Sequence, residues 1–180
     1  IEVKAYETEQ ACKDGEQKKN MVVNIGKVLG EDWDYVEREI AAIVAVTKKY
    51  KAALKVIFEN DFLPDDKYKI MLCEICSRHK VAFVKTSTGY GFVKGADGKY
   101  SYEGATEHDL ILMRKHSAAD VQIKAAGGIR TLDDLLKVQA LGVTRIGATA
   151  TAAIIDDARQ RFGSFGTAPA FTDTNTKGGY

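Results

Sequence analysis

Five short apolar runs, each followed by residues at helical spacing, most constrain what this chain can become. They are Met21-Val22-Val23-Asn24-Ile25-Gly26, Ala53-Leu54-Lys55-Val56-Ile57-Phe58, Val81-Ala82-Phe83-Val84, Val121-Gln122-Ile123-Lys124 and Val143-Thr144-Arg145-Ile146-Gly147. Short runs rich in Val and Ile read as strands buried in a parallel sheet. Helices are predicted over residues 4–13, stopped by Gly15, and over 32–50, where Trp33, Val36, Ile40, Ile43, Val44 and Thr47 recur on one face. A third starts around Pro64 and runs to about Arg78, with Pro64 inside its first turn. Thr106 caps a helix over 107–117, with Asp109 completing a capping box, and Thr131 caps 132–141 with Asp133 and Asp134 at its positive end. A last helix covers 150–161. Strand–helix alternation predicts an α/β fold with a parallel sheet and helices over both faces. Two closures fit: an open doubly wound sheet, which suits 180 residues, or a (β/α)8 barrel, which suits the motifs but usually needs roughly 250 residues. The division expected is 1–162 as the folded part and 163–180, rich in Gly, Thr and Ala, as a flexible tail.

A formal charge of +1 gives no global field for nucleic acid, and no apolar run is long enough to span a membrane. Three cysteines are not a disulfide framework; Cys73 and Cys76 lie one helical turn apart with no second pair to complete a metal site, so reduced cysteines and a cytoplasmic setting are expected. No dinucleotide or P-loop motif occurs. His79, His108 and His116 lack ligand spacing.

Two lysines stand out because lysine is costly to desolvate. Lys85 ends the run Val81–Val84 and Lys124 ends the run from Val121. Side chains at the C-terminal ends of parallel strands face the site of an α/β protein, and Asn24, Glu59, Lys85, Lys124 and Gly147 all stand there. Two amines in one site depress each other's pKa, which makes one a nucleophile at neutral pH. The chemistry read from this is imine formation with an aldehyde. The bland alternative is a lysine that snorkels to the surface. Gly127-Gly128 and Gly147-Ala148-Thr149 leave backbone N–H groups open near helix N-termini, a pattern suited to phosphate, although a glycine pair can equally make only a turn.

The residues then carry a resemblance. Val84-Lys85-Thr86-Ser87-Thr88-Gly89 followed by Lys124-Ala125-Ala126-Gly127-Gly128-Ile129-Arg130-Thr131 resembles the deoxyribose-phosphate aldolase family, with Val23-Asn24-Ile25-Gly26, Leu54–Glu59, Gly104-Ala105-Thr106 and Arg145-Ile146-Gly147 in the same order. The resemblance implies a (β/α)8 barrel of which this chain holds about the last five strands. It implies reversible cleavage of 2-deoxy-D-ribose 5-phosphate to D-glyceraldehyde 3-phosphate and acetaldehyde, without a metal or organic cofactor. It makes Lys85 the imine-forming lysine and Lys124 the partner that lowers its pKa. It places phosphate at Gly127, Gly128, Gly147, Ala148 and Thr149 with Gly89 close by, and gives the terminal Tyr180 a proton-transfer role. The family's aspartate before the Val-x-Asn motif aligns with Asn20, which cannot exchange a proton, so slowed turnover is expected. A catalytically weak sugar-phosphate-binding homologue and a Schiff-base aldolase with another substrate are the alternatives. Because the chain begins at Ile1 within the expected barrel, a preceding segment, a homodimer or a chain supplying further strands is expected to close the sheet.

Overall fold

A computed structural model of the chain describes residues 1–163. The expected tail, Tyr180 included, lies outside the described residues except for Gly163. Chain order runs α1 (Glu2–Lys13), β1 (Lys18–Val22), α2 (Ile25–Leu29), α3 (Trp33–Lys49), β2 (Ala53–Ile57), a 3-10 turn (Asn60–Phe62), α4 (Asp66–Arg78) and β3 (Phe83–Lys85). There follow β4 (Val93–Lys94), β5 (Tyr100–Ser101), α5 (Glu107–His116), β6 (Gln122–Ala126), α6 (Leu132–Ala140), β7 (Val143–Gly147) and α7 (Thr151–Phe162). Five parallel strands form one sheet in the order β1-β2-β3-β6-β7, and β4 with β5 makes a small antiparallel hairpin in the loop after β3.

The unreversed strand order decides between the two closures. Crossovers of one hand between successive neighbours put every helix on the same side of a parallel sheet, whereas a doubly wound sheet needs a reversal. Met21, Leu54, Val56, Phe58, Val84, Ile123 and Ala125, on one face, form a single core with Val36, Ile40 and Ile43 of α3, Leu72 and Ile75 of α4, and Leu110 and Met113 of α5. Asn20, Lys55, Ile57, Phe83, Lys85, Gln122, Lys124 and Arg145 share the other face by register and by the alternation of side chains along each strand. None of them belongs to that core. The expectation of helices over both faces is therefore corrected: they cover one, and the fold is a partial (β/α)8 barrel whose inner face is rich in cations.

Several local expectations shift. The first strand ends at Val22, because Asn24 turns the chain and its side chain caps α2 by accepting the Lys27 N–H at 3.1 Å. Pro64 precedes the helix it was expected to begin; the cap of α4 is Asp65, whose carboxylate accepts the Lys67 N–H. Thr106 caps α5 by accepting the Asp109 N–H, yet the box is not completed, since the Asp109 carboxylate turns inward to Lys69 and Asn60. Thr131 and Asp134 do form a full capping box on α6. Trp33 is partly buried against the core and meets Tyr68 with ring centroids 6.4 Å apart.

Candidate active site

β3 and β6 are paired so that Lys85 stands directly beside Lys124, and in-register neighbours of a parallel sheet project to the same face. The ladder is closed tightly here. Phe58 N–H donates to Lys85 O at 2.9 Å, Thr86 N–H to Lys124 O at 3.2 Å, and the Thr86 hydroxyl both donates to Ala126 O and accepts from Ala126 N–H. Lys85 is 9% exposed. Burial pulls its pKa down, the Lys124 ammonium pushes in the same direction, and the Glu59 carboxylate opposes both. Sequence reasoning assigned the lowering to Lys124; in the structure, burial is the larger cause.

Lys85 opens into a cleft of about 410 Å³. Gly89, Gly127, Gly128, Gly147, Ala148 and Thr149 line it, so every glycine-loop residue singled out from the sequence meets Lys85 in one place. Gly127 and Gly128 both have positive φ, at 86° and 81°, which a side chain would resist. Lys124 reaches the same region: a Cβ built on Gly147 would lie 3.9 Å from its Nζ. Arg130 is exposed on the rim, and its backbone N–H donates to the Asp134 carboxylate. Tyr90, Phe92 and Tyr102, from the hairpin loop, form the remaining wall, with Phe92 and Tyr102 in an edge contact at 5.2 Å. Asn20 does not line this cleft. It is exposed on β1, in register with Lys55 on β2.

Lys55 is the residue that sequence reasoning missed. It is 3% exposed on the inner face, and burial together with Lys124, Arg145, Lys18 and Lys85 pulls its pKa down to about 8. Its Nζ lies 5.9 Å from the centre of the Phe83 ring, with the Arg145 guanidinium carbon 5.0 Å from the same ring. Its available signal was parity: Lys55 sits two positions before Ile57, the register partner of Lys85. Lys55 is absent from the cleft lining, so a lowered pKa alone does not give it access to substrate.

Glu59, expected at a strand end, adopts a left-handed backbone with φ 59°. Its carboxylate accepts the Thr88 N–H at 2.9 Å and the Thr88 hydroxyl at 2.6 Å, pinning the segment that follows Lys85. Asp66, His108 and Asp109 bring potential ligand atoms within 4.8 Å of one another. Lys69 already bridges that group, 2.6 Å from Asp109 and 3.0 Å from Asp66, so the cation there is the protein's own. Burial pushes the Cys73 thiol up to about 12 and also raises the Cys76 thiol well above its ordinary value, which fits a packing role for that pair.

No family model matches the chain. It is 48% identical over 161 residues to the deoxyribose-phosphate aldolase of Rhodopirellula baltica, covering 89% of this chain and 62% of that protein. It is 43% identical over 154 residues to the enzyme of the same name from Listeria monocytogenes, covering 86% and 64%. In structure it resembles an aldolase called QR15, with a TM-score of 0.77 at 29% identity over 89% of this chain and 66% of that one. It also resembles the tetrameric deoxyribose phosphate aldolase of Aeropyrum pernix, with a TM-score of 0.73 at 25% identity over 89% and 62%. The chain thus spans less than two thirds of the length of these curated relatives. With the lysine pair, the glycine loops and the sheet order agreeing with those matches, the chain belongs to the deoxyribose-phosphate aldolase family.

Proposed function

We propose that this chain carries the Schiff-base chemistry of a class I aldolase and reversibly cleaves 2-deoxy-D-ribose 5-phosphate. The observation that carries the reading is a buried amine of lowered pKa, Lys85, opening into a cleft walled by two glycine-rich loops. The neutral Lys85 amine attacks the C1 aldehyde, and the carbinolamine loses water to give the iminium. Loss of the C3 hydroxyl proton then breaks the C2–C3 bond, and the bonding pair flows into the iminium to leave an enamine. Glyceraldehyde 3-phosphate departs; protonation of the enamine at C2 and hydrolysis release acetaldehyde and restore Lys85.

Roles follow from placement. Lys124 helps keep Lys85 deprotonated and is near enough to move protons at the imine. The N–H groups around Gly127, Gly128, Gly147, Ala148 and Thr149 would receive the phosphate, with Gly89 close by. Asn20 would hold a hydrogen bond where an aspartate would exchange a proton. Tyr180 is assigned enamine protonation on the family resemblance alone. We place the protein in the cytoplasm; no described helix is long and apolar enough to cross a membrane. We also infer self-association, as a homodimer or with a chain supplying further strands, since among the described residues no strand pairs with the outer edges of β1 and β7; light scattering showing only monomers would overturn this.

The test is turnover. With 2-deoxyribose 5-phosphate the chain should release acetaldehyde, and borohydride should inactivate it only when substrate is present. Substrate-dependent trapping without acetaldehyde release would instead favour the catalytically weak homologue, with Asn20 as the suspected cause.

A further inference from the structure

Three consecutive residues after β2 grip the neighbouring strand–loop–helix unit at three heights. Glu59 holds Thr88, as described. Asn60 donates its backbone N–H to Thr86 O at 3.0 Å and its amide to the Asp109 carboxylate at 3.0 Å. Asp61 accepts the backbone N–H groups of Glu103 and Gly104 on its carboxylate, the latter at 3.2 Å. Gly104 is buried and rests directly on Gly127. A Cβ there would lie 2.7 Å from the Gly127 carbonyl carbon, its φ is +74°, and the next residue, Ala105, donates to Gly127 O at 3.2 Å. The Tyr102 ring also packs there, 3.1 Å from where a Cβ on Gly127 would stand. Asp61 itself does not line the cleft.

We propose that Asp61 is a positioning residue for the phosphate side of the cleft: it fixes Gly104, and Gly104 fixes the Gly127 peptide. The inference rests on the proposed function above. A glycine has no side chain to anchor it, so the position of Gly127 depends on what packs against it. An ionised carboxylate accepting two backbone N–H groups is a strong brace. Without it, the N–H of buried Gly104 loses its partner, and the cost of that loss favours a shifted loop.

The experiment compares Asp61→Ala and Asp61→Asn with the wild type, using 2-deoxyribose 5-phosphate and unphosphorylated 2-deoxyribose. Asp61→Ala should raise KM for the phosphorylated sugar by roughly 10- to 150-fold, the scale of one lost hydrogen bond to a charged group. Asp61→Asn keeps one acceptor oxygen and should fall between. KM for the unphosphorylated sugar and the pH profile of kcat should not move, and amide exchange at Gly104 and Ala105 should accelerate. An equal rise in KM for both sugars, or unchanged KM with unchanged exchange, overturns the proposal. Should the wild type turn over neither sugar, the proposed function falls and Asp61 is judged by inorganic phosphate: Asp61→Ala binding it as tightly as wild type overturns the positioning role.

Discussion

Replacing Lys55 by methionine should stabilise this protein at neutral pH and lose most of that advantage in alkali. Lys55 is 3% exposed, and burial with four neighbouring cations lowers its pKa from the ordinary 10.5 to about 8. At about 1.4 kcal/mol per pH unit, that fall corresponds to about 3 kcal/mol against the folded state, a ceiling set by how far water relaxes around the amine. The sign follows from proton binding. Between pH 8 and 10.5 the unfolded chain holds a proton on Lys55 that the folded chain has shed, so stability rises with pH across that window. Below pH 8 the full cost is present, and above 10.5 it is gone. Urea unfolding of wild type and Lys55→Met at pH 7 and pH 11 reads the charge of Lys55 together with its coupling to the cations beside it. A variant more stable by up to about 3 kcal/mol at pH 7, with the gap narrowing by pH 11, fits the account. A variant less stable at pH 7, or a gap that ignores pH, would refute it.

Lys69→Met should destabilise by about 3–5 kcal/mol, because it leaves the Asp109 carboxylate buried without its ammonium, and Lys69→Met/Asp109→Leu should recover most of that loss in the same unfolding assay. A single variant within about 1 kcal/mol of wild type would show the pair to be slack. Asn20→Asp should raise turnover, by no more than the roughly 10²- to 10⁴-fold that a general acid–base group supplies; an unchanged kcat would show that position 20 does not limit turnover. The same change sets a carboxylate beside Lys55 in register, so it should also add stability at neutral pH.

The strands that deliver Lys85 and Lys124 were legible as apolar runs, and the structure pairs the two lysines; Lys85 does end β3, but Lys124, expected at a strand end, sits in the middle of β6, which continues to Ala126. The glycine loops were legible by residue type, and all of them meet in the cleft. The start of β1 was not, since Lys18, Lys19 and Asn20, on the outermost described strand on that side, carry no apolar signal. Lys55 was hidden inside a run that read only as a strand; its burial depends on the neighbouring strands. Asp109 mimicked a capping box in sequence, but its partners Lys69 and Asn60 are 40 and 49 residues away. The clamps made by Glu59 and Asp61 likewise join residues 29 and more than 40 positions apart, a separation that no local pattern reveals.

The central claim is that access, and not the depth of a pKa shift, selects the reacting lysine. Lys55 has the amine pulled to about 8, yet of these two it is Lys85 that lines the cleft. Incubating the chain with acetaldehyde or 2-deoxyribose 5-phosphate, reducing with borohydride and mapping peptides by mass spectrometry distinguishes them. The account predicts one adduct, on Lys85, absent in Lys85→Met and retained in Lys55→Met. An adduct on Lys55 or Lys124 in the wild type, or none at all, would contradict it.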